Sequence, residues 1–300
     1  MLVLLTLLAA SGGVAVAGGL DPVNVTLFFS AEVQGNFEPC GCSAGPQGGI
    51  SRRVAYSRTF DSAHDHPTVQ VDAGNYFQIP GPRAKVLNDF LIDSLTDVQM
   101  AVMNLGTDDL HLWDRLAQIT TTAIISTNLK PADTSRTAPE RFAVVPVESG
   151  GRTIRLGFLG VAWPGRVAPR IRFVGQDPVE AVAEVADQLR NEADVWVVLA
   201  DFNPRNAAER RAMEQLAKTY DEIVAILYTE QRFVLPEPHL MNKAVVLAGV
   251  ERGRFLGRLT LTLDDKGGVS EIEPEFVELD ERVGEVPELL QRQNRLSPGN

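Results

Sequence analysis

Residues 193–201, ADVWVVLAD, form an almost unbroken apolar run that ends in an acidic residue. Apolar side chains at successive positions are typical of a strand buried on both faces, as in a parallel sheet covered by helices. Helices are predicted on either side of it, PVEAVAEVADQLRNEA (178–193) behind a capping box at 177–180, and PRNAAERRAMEQLAKTY (204–220) starting at Asn203-Pro204. The stretch therefore predicts one helix–strand–helix unit of an α/β protein.

The same alternation of strands and helices continues through the chain. A further helix is predicted at 83–95, and residues 141–162 indicate two strands joined by the turn Ser149-Gly150-Gly151. Other strands are predicted at 24–31, 68–74, 96–104, 121–128, 221–228, 243–250 and 254–265. An alternating chain with a hairpin in its middle predicts two packed sheets flanked by helices.

The N-terminal residues 1–17 carry no charge and are almost wholly apolar, and Ala15-Val16-Ala17 fits the small-x-small site of a signal peptidase. We therefore expect a cleaved signal peptide and a location in the periplasm or outside the cell. The alternative is a retained membrane anchor, although the run is short for a span and glycines interrupt it. The net charge of −11 repels phosphates, so no nucleic acid partner is expected.

Polar residues follow the carboxyl ends of the predicted strands, where α/β proteins usually carry their chemistry. They are Glu32, Gln34, Asp72, Asn75, Thr107, Asp108, Asp109, Asn128, Asp201, Thr229 and Glu230. This edge of the sheets is therefore the predicted place of a binding or active site.

Four motifs in these loops resemble those of the calcineurin-like metallophosphoesterases, and more closely the metallophosphatase domain of exported 5′-nucleotidases. They are GGISRR (48–53), VDAGNYF (71–77), STNL (126–129) and AGVERGRFLGRLTL (248–261). The resemblance covers residues 24–265 and implies a four-layer αββα sandwich of two mixed sheets. Residues 266–300 then form a C-terminal extension, in which the spacing of Val283, Val286, Leu289 and Leu290 predicts a helix.

The metal ligands of that family are the part of the pattern that this sequence lacks. The family holds two metal ions with aspartate, asparagine and histidine side chains, and a two-metal hydrolase needs those ions to activate water. None of the four histidines, His64, His66, His111 and His239, falls on a ligand position. Alignment of the motifs places Glu32, Gln34, Asn75, Asp108 and Asp201 on or near ligand positions, Leu227 and Thr229 near the last histidine pair, and Asp72 on a structural aspartate.

Two interpretations of these residues remain open. An oxygen-rich pocket of Glu32, Gln34, Asn75, Asp108 and Asp201 could hold a divalent metal such as Mn, Zn, Ca or Mg, with Asp108 and Asp201 as candidate catalytic groups. Alternatively, these are ordinary polar residues at loop ends, where Asp and Asn are common. The resemblance then implies a scaffold whose dinuclear site is largely lost.

The two cysteines, Cys40 and Cys42, lie in EPCGC (38–42), just before a predicted cleft loop with Gly48, Gly49, Arg52 and Arg53. One interpretation is a strained, easily reduced disulfide that takes part in redox contact. The second is a Cu or Zn site completed by a nearby carboxylate. The third is a structural disulfide or a buried thiol pair.

The EPCGC segment also resembles a branch of exported bacterial members of the superfamily. That resemblance implies a redox partner, such as a multihaem cytochrome in the periplasm or outside the cell. No C-x-x-C-H motif is present, so the chain itself is not expected to attach a c-type haem.

Three functions are consistent with these observations. The first is a non-catalytic binding or redox-partner protein that uses the cleft loops and the cysteine pair. The second is a metal-dependent hydrolase of phosphate or sulfur esters with an altered metal site. The third is a structural subunit of an electron-transfer complex.

Overall fold

The computed structural model of the chain describes residues 21–40, 45–230 and 237–296. The predicted signal peptide at 1–17 and Cys42 lie outside these ranges. Within them, no helix has the length and apolar character that a bilayer-spanning segment requires.

Fourteen strands and six α-helices lie in the described residues. The strands are β1 (Val23–Ser30), β2 (Thr68–Asp72), β3 (Met100–Asn104), β4 (Ala123–Ile125), β5 (Leu129–Pro131), β6 (Phe142–Ser149), β7 (Arg152–Ala162), β8 (Phe173–Gly175), β9 (Val195–Asp201), β10 (Ile223–Tyr228), β11 (His239–Met241), β12 (Ala244–Ala248), β13 (Phe255–Leu263) and β14 (Val269–Glu278). The helices are α1 (Ile50–Ala63), α2 (Ala84–Val98), α3 (Trp113–Leu116), α4 (Pro178–Glu192), α5 (Ala207–Thr219) and α6 (Pro287–Asn294).

Two six-stranded mixed sheets form the centre of the protein. The first has the order β14-β13-β1-β2-β3-β4 and the second β11-β12-β10-β9-β7-β6. In each sheet four strands run parallel, β1 to β4 in the first and β7, β9, β10 and β12 in the second, and the remaining strands pair antiparallel. The short strands β5 and β8 form a separate antiparallel pair.

Strand β9 shows how its sequence determines the layers. Val197 and Leu199 face the other sheet and join the core between the two sheets. Trp196 and Val198 face outward and pack with α4 and α5. Because successive side chains of a strand point to opposite faces, a strand between two apolar layers needs apolar residues at every position.

Helices cover the outer face of both sheets. Apolar residues of α1, α2 and α6 pack in one cluster against the first sheet, and those of α4 and α5 pack against the second. The predicted four-layer αββα sandwich is therefore confirmed.

Three of the differences between the predicted and the observed elements concern helices. The strand predicted at 96–104 is wrong at its start, since α2 continues to Val98 and ends at Gln99, whose φ is 56°. Helix α5 was predicted to start at Asn203-Pro204 but begins after Asn206. The side chain of Asn206 accepts hydrogen bonds from the backbone amides of Ala208 and Glu209 and so caps the helix. Helix α1 was not predicted, because its buried positions run consecutively from Ile50 to Val54 and give no helical stripe.

The C-terminal residues belong to the same sandwich. Strand β14 pairs with β13 along its length, so the first sheet continues beyond residue 265. Helix α6 lies against α1, and the side chain of Gln293 donates to the carbonyl of Phe37 at 2.8 Å.

Candidate functional site

The carboxyl ends of the parallel strands of both sheets meet at one edge of the sandwich. The loop after β1 carries Glu32, the loop after β2 carries Asn75, and β9 ends at Asp201. The side-chain amide of Asn75 donates to Glu32 at 2.6 Å and to Asp201 at 3.1 Å. This amide therefore connects the two sheets, and the structure brings together three of the side chains that the sequence predicted at this edge.

Asp201 is the centre of the cluster and is fully buried, with 0% of its surface exposed. The backbone amide and the hydroxyl of Thr107 both donate to its Oδ2 at 2.7 Å. The hydroxyl of Thr229 donates to its Oδ1 at 2.9 Å. Together with the bond from Asn75, the carboxylate accepts four hydrogen bonds from uncharged protein groups. Asp201 is therefore part of a connected polar network.

Glu32 is the second buried carboxylate of the cluster. It accepts from Asn75 at Oε1 and from the amide of Gln34 at Oε2, the latter at 2.7 Å. Burial, and next the nearby charge of Asp201, raise the pKa of Glu32 from its ordinary value to about 7. Removal from water disfavours the charged form, and a second carboxylate close by adds to that cost.

The loops that present these residues adopt an unusual backbone. Glu32, Gln34 and Asn75 have φ values of 51°, 51° and 59°. A non-glycine residue in the left-handed region costs about 1–3 kcal/mol and persists where surrounding contacts hold it. Here backbone hydrogen bonds between the two loops provide those contacts. The amide of Glu32 donates to the carbonyl of Gly74 at 3.0 Å, and the amide of Gln34 donates to the carbonyl of Asn75 at 2.9 Å.

Two further buried aspartates hold the loop after β2 in place. The carboxylate of Asp109 accepts the backbone amides of Asn75 at 2.8 Å, Tyr76 at 3.3 Å and Phe77 at 2.9 Å. Asp72 accepts the amide of Gly74 at 2.8 Å, in the structural role that the sequence predicted for it. Burial raises the pKa of Asp109 well above its ordinary value.

Arg166 is one residue of the site that the sequence analysis missed, and Arg205 is another. The Nη2 atom of Arg166 lies 2.9 Å from Oδ1 of Asp201 and 3.4 Å from Oε2 of Glu209, and it also donates to the carbonyl of Asp201. Arg166 comes from the turn that follows β7, which runs parallel to β9. The loop that carries Arg166 could have been identified, because it also lies beyond the carboxyl end of a parallel strand, but its pairing with Asp201 could not.

A pair of divalent metals does not fit this arrangement. The oxygens of Glu32 and Asp201 face N–H and O–H donors, and the guanidinium of Arg166 adds a fixed positive charge to the cluster. A metal ion needs oxygen lone pairs directed at it, and a cation 2.9 Å from a ligand repels it. Across the described ranges, no three His, Cys, Asp or Glu side chains are grouped so that they could hold a metal ion.

A cavity of about 260 Å³ opens beside this cluster. Its lining residues are Glu32, Arg166, Asn203, Arg205, Thr229 and Glu230. Arg205 and Glu230 form an ion pair across it, with a nitrogen–oxygen distance of 3.3 Å. Side chains of both signs therefore face one partly open cavity.

The other predicted site residues lie apart from this cavity. Asp108 is exposed, its amide donates to Oδ1 of Asn75 at 3.1 Å, and its carboxylate adds, after burial and Asp201, to the raised pKa of Glu32. His111 turns back onto its own loop, with Nδ1 at 2.7 Å from the carbonyl of Asp108. Leu227 is part of the apolar core between the sheets.

Residues 47–52 lie against the C-terminal part of the chain, where Gln47 contacts Glu278 and the amide of Gly48 donates to the carbonyl of Leu279. The backbones of Cys40 and Gln47 exchange two hydrogen bonds, at 2.8 and 3.0 Å, and so close the base of the cysteine loop. Arg52 bonds to Glu285 at 3.0 Å, and the buried Arg53 donates to Ser30 at 2.6 Å. Neither guanidinium lines the cavity.

Gly48 and Gly49 have structural reasons to be glycine. Their φ values are 88° and 96°. A Cβ at Gly48 would lie 2.8 Å from the carbonyl oxygen of Gly253, and one at Gly49 would lie 2.8 Å from the ring of Pro39. Both positions therefore need the small residue for backbone conformation and close packing.

Comparison with known proteins agrees with this fold. The chain is similar to a 5′-nucleotidase precursor from Thermus thermophilus, with a TM-score of 0.75, 21% identity, and coverage of 91% of this chain and 58% of that chain. It is also similar to the sulfate thiohydrolase SoxB of Thermus thermophilus, with a TM-score of 0.76, 14% identity, and coverage of 91% and 60%. The calcineurin-like phosphoesterase YfkN from Bacillus subtilis gives a TM-score of 0.75, 17% identity, and coverage of 92% and 98%.

These similarities establish a metallophosphoesterase-like fold, as the motifs predicted. No family model and no curated protein matches the sequence. The chain spans about three fifths of the length of the two Thermus proteins, which therefore contain further chain of their own.

Proposed function

We propose that this protein is a non-catalytic member of the metallophosphoesterase fold that binds a ligand or partner through its cleft loops. The observation that carries the proposal is the ion pair between Arg166 and the fully buried Asp201 at 2.9 Å. A guanidinium occupies the part of the cluster where the fold family would place metal charge. The carboxylate is satisfied by protein donors alone, and no step of a two-metal hydrolysis can be assigned to these residues.

The protein purified from its native compartment without chelator is expected to carry no stoichiometric metal, because its carboxylates already face internal donors. Elemental analysis measures this directly. A melting curve with and without EDTA provides the control, since a bound metal stabilises the folded state and its removal would lower the melting temperature. Turnover of bis(4-nitrophenyl) phosphate with added Mn²⁺ is expected to stay at the level of a no-protein blank. About two equivalents of Mn, Fe or Zn, as a two-metal hydrolase needs, would contradict the proposal and favour the altered-site phosphoesterase.

The cysteine loop is the second part of the proposed function. We infer that the protein is exported and that Cys40 and Cys42 contact a redox protein there, such as a multihaem cytochrome. Oxidised, the pair would take two electrons from two reduced haems of the partner and two protons from water, and yield two thiols. The two backbone hydrogen bonds between Cys40 and Gln47 support this role, because they fix the position of Cys40.

Protein purified without reductant is therefore expected to resist alkylation at Cys40 and Cys42, because a disulfide leaves no free thiol. A mild reductant should make both cysteines reactive, because a disulfide in so small a ring is easily reduced. Mass spectrometry of the alkylated peptide measures this, and Cys40→Ser serves as the control in which Cys42 reacts at once. Alkylation of both cysteines in the untreated native protein would contradict the redox role.

A further inference from the structure

We propose that the cavity beside Asp201 binds a small dipolar molecule, with a primary ammonium group at one end and an acid group at the other. The ammonium group would lie inward and the acid group at the opening. This inference rests on the proposed function, since metal ions at the same cluster would change the charges that select the ligand.

The cavity has an acidic floor. The side chain of Glu230 is 3% exposed, and Glu32 and Thr229 are 3% and 1% exposed. Each carboxylate oxygen can accept more than one hydrogen bond, so the bonds that Glu32 receives from Gln34 and Asn75 leave acceptor capacity. An ammonium group has three donors and no acceptor, which suits this floor.

The opening of the cavity is basic. The side chains of Arg166 and Arg205 are 31% and 70% exposed, and Asn203 is exposed beside them. The guanidinium of Arg205 can pair with a ligand acid at small cost, because its 3.3 Å contact with Glu230 is long and its side chain is mostly in water. Carboxylate, sulfonate and phosphate groups all suit a guanidinium fork.

Charge decides between the possible ligand classes. A simple anion would approach the carboxylates of Glu32 and Glu230 at close range, since Arg166 pairs with Asp201 and not with these two. A simple cation would have to pass the exposed guanidinium of Arg205 at the opening. A molecule with both charges meets an opposite charge at each end, and opposite charges favour each other strongly in a partly enclosed site.

Size limits the ligand to a short molecule. The cavity of about 260 Å³ corresponds to roughly nine waters at about 30 Å³ each. A molecule with a two-carbon chain between its charged groups is within this volume.

Isothermal titration calorimetry of the full chain tests the inference with matched probes. β-Alanine, taurine and O-phosphoethanolamine share the ammonium and the two-carbon chain and differ in the acid, so their ranking identifies the acid group. Ethylamine and propionate each keep only one charge. At least one dipolar probe is expected to bind roughly tenfold or more tightly than both single-charge probes, which is the value of one charge-assisted contact.

Variants locate the binding. Glu230→Gln and Arg205→Gln are each expected to weaken the best dipolar probe roughly tenfold or more. Arg210→Gln and Glu214→Gln remove a matched exposed pair on α5, whose atoms are 3.9 Å apart, and should leave binding unchanged. No measurable binding of any dipolar probe to a protein confirmed as metal-free would overturn this inference alone. Equal binding of ethylamine or propionate would also overturn it, whereas metal-dependent turnover would overturn the proposed function beneath it.

Discussion

Replacing Asp201 by alanine is expected to lower the free energy of unfolding by about 3–5 kcal/mol, the usual cost of removing one partner from a buried ion pair. The substitution leaves the guanidinium of Arg166 without its 2.9 Å partner. It also leaves the buried amide and hydroxyl of Thr107 without their acceptor, and the hydroxyl of Thr229 with only its 3.3 Å bond to the carbonyl of Phe202. Each buried donor left unpaired costs about 1–3 kcal/mol, although water entering the new space recovers part of that cost.

Urea denaturation of the variant and of the parent protein measures the difference. Asp221→Ala is the matched control, because Asp221 is an exposed aspartate that pairs with Lys243 at 2.6 Å. An exposed pair contributes at most about 1 kcal/mol, so this control should change little. If Asp201→Ala also cost less than about 1 kcal/mol, the cluster would not be the connected network that its distances indicate.

The fold could be predicted because its strands carry strong local signals. The residues of β9 are apolar at every position before Asp201, because both faces of the strand are covered. This pattern can be recognised without knowing which sheet and helices pack against the strand. Helix α1 lacked such a signal, because it buries Arg52 and Arg53 through specific bonds and shows no apolar stripe. Strand β14 was missed although its signal was present, since Ile272 and Phe276 face the core and alternate with exposed glutamates.

The candidate site could be predicted only in part. Glu32, Asn75 and Asp201 were placed together, because loops after parallel strands meet at one edge. Their chemistry depends on Arg166, which is 35 residues from Asp201 in the chain and meets it only in the folded protein. No local pattern marks an arginine that will neutralise a buried carboxylate. The sequence therefore predicted which polar residues meet at this edge, and the structure showed that Arg166 pairs with one of them.

The pH dependence of stability provides a test of Glu32. Its pKa is raised from 4.5 to about 7 in the folded protein, chiefly by burial. Between these values the folded protein holds a proton that the unfolded chain has lost, so the contribution of Glu32 to stability falls as pH rises. A shift of this size corresponds to about 3 kcal/mol, with the penalty absent below pH ~4.5 and complete above pH ~7.

Glu32→Gln removes this titration while keeping the shape of the side chain. The amide of Gln34 can rotate to accept from the new Gln, so the hydrogen bonds of the site can adapt. Relative to the parent protein, the variant should therefore gain about 3 kcal/mol of stability between pH ~4.5 and pH ~8, as measured by urea denaturation at several pH values.

Glu184→Gln is a control of opposite sign. A hydrogen bond from Gln176 lowers the pKa of the exposed Glu184, so that variant should lose stability relative to the parent as pH rises. A difference between Glu32→Gln and the parent that stays constant with pH would show that Glu32 is ionised in the folded protein throughout this range. The acidic cluster would then hold more negative charge than its contacts explain, and a cation at the floor of the cavity would have to supply the balance.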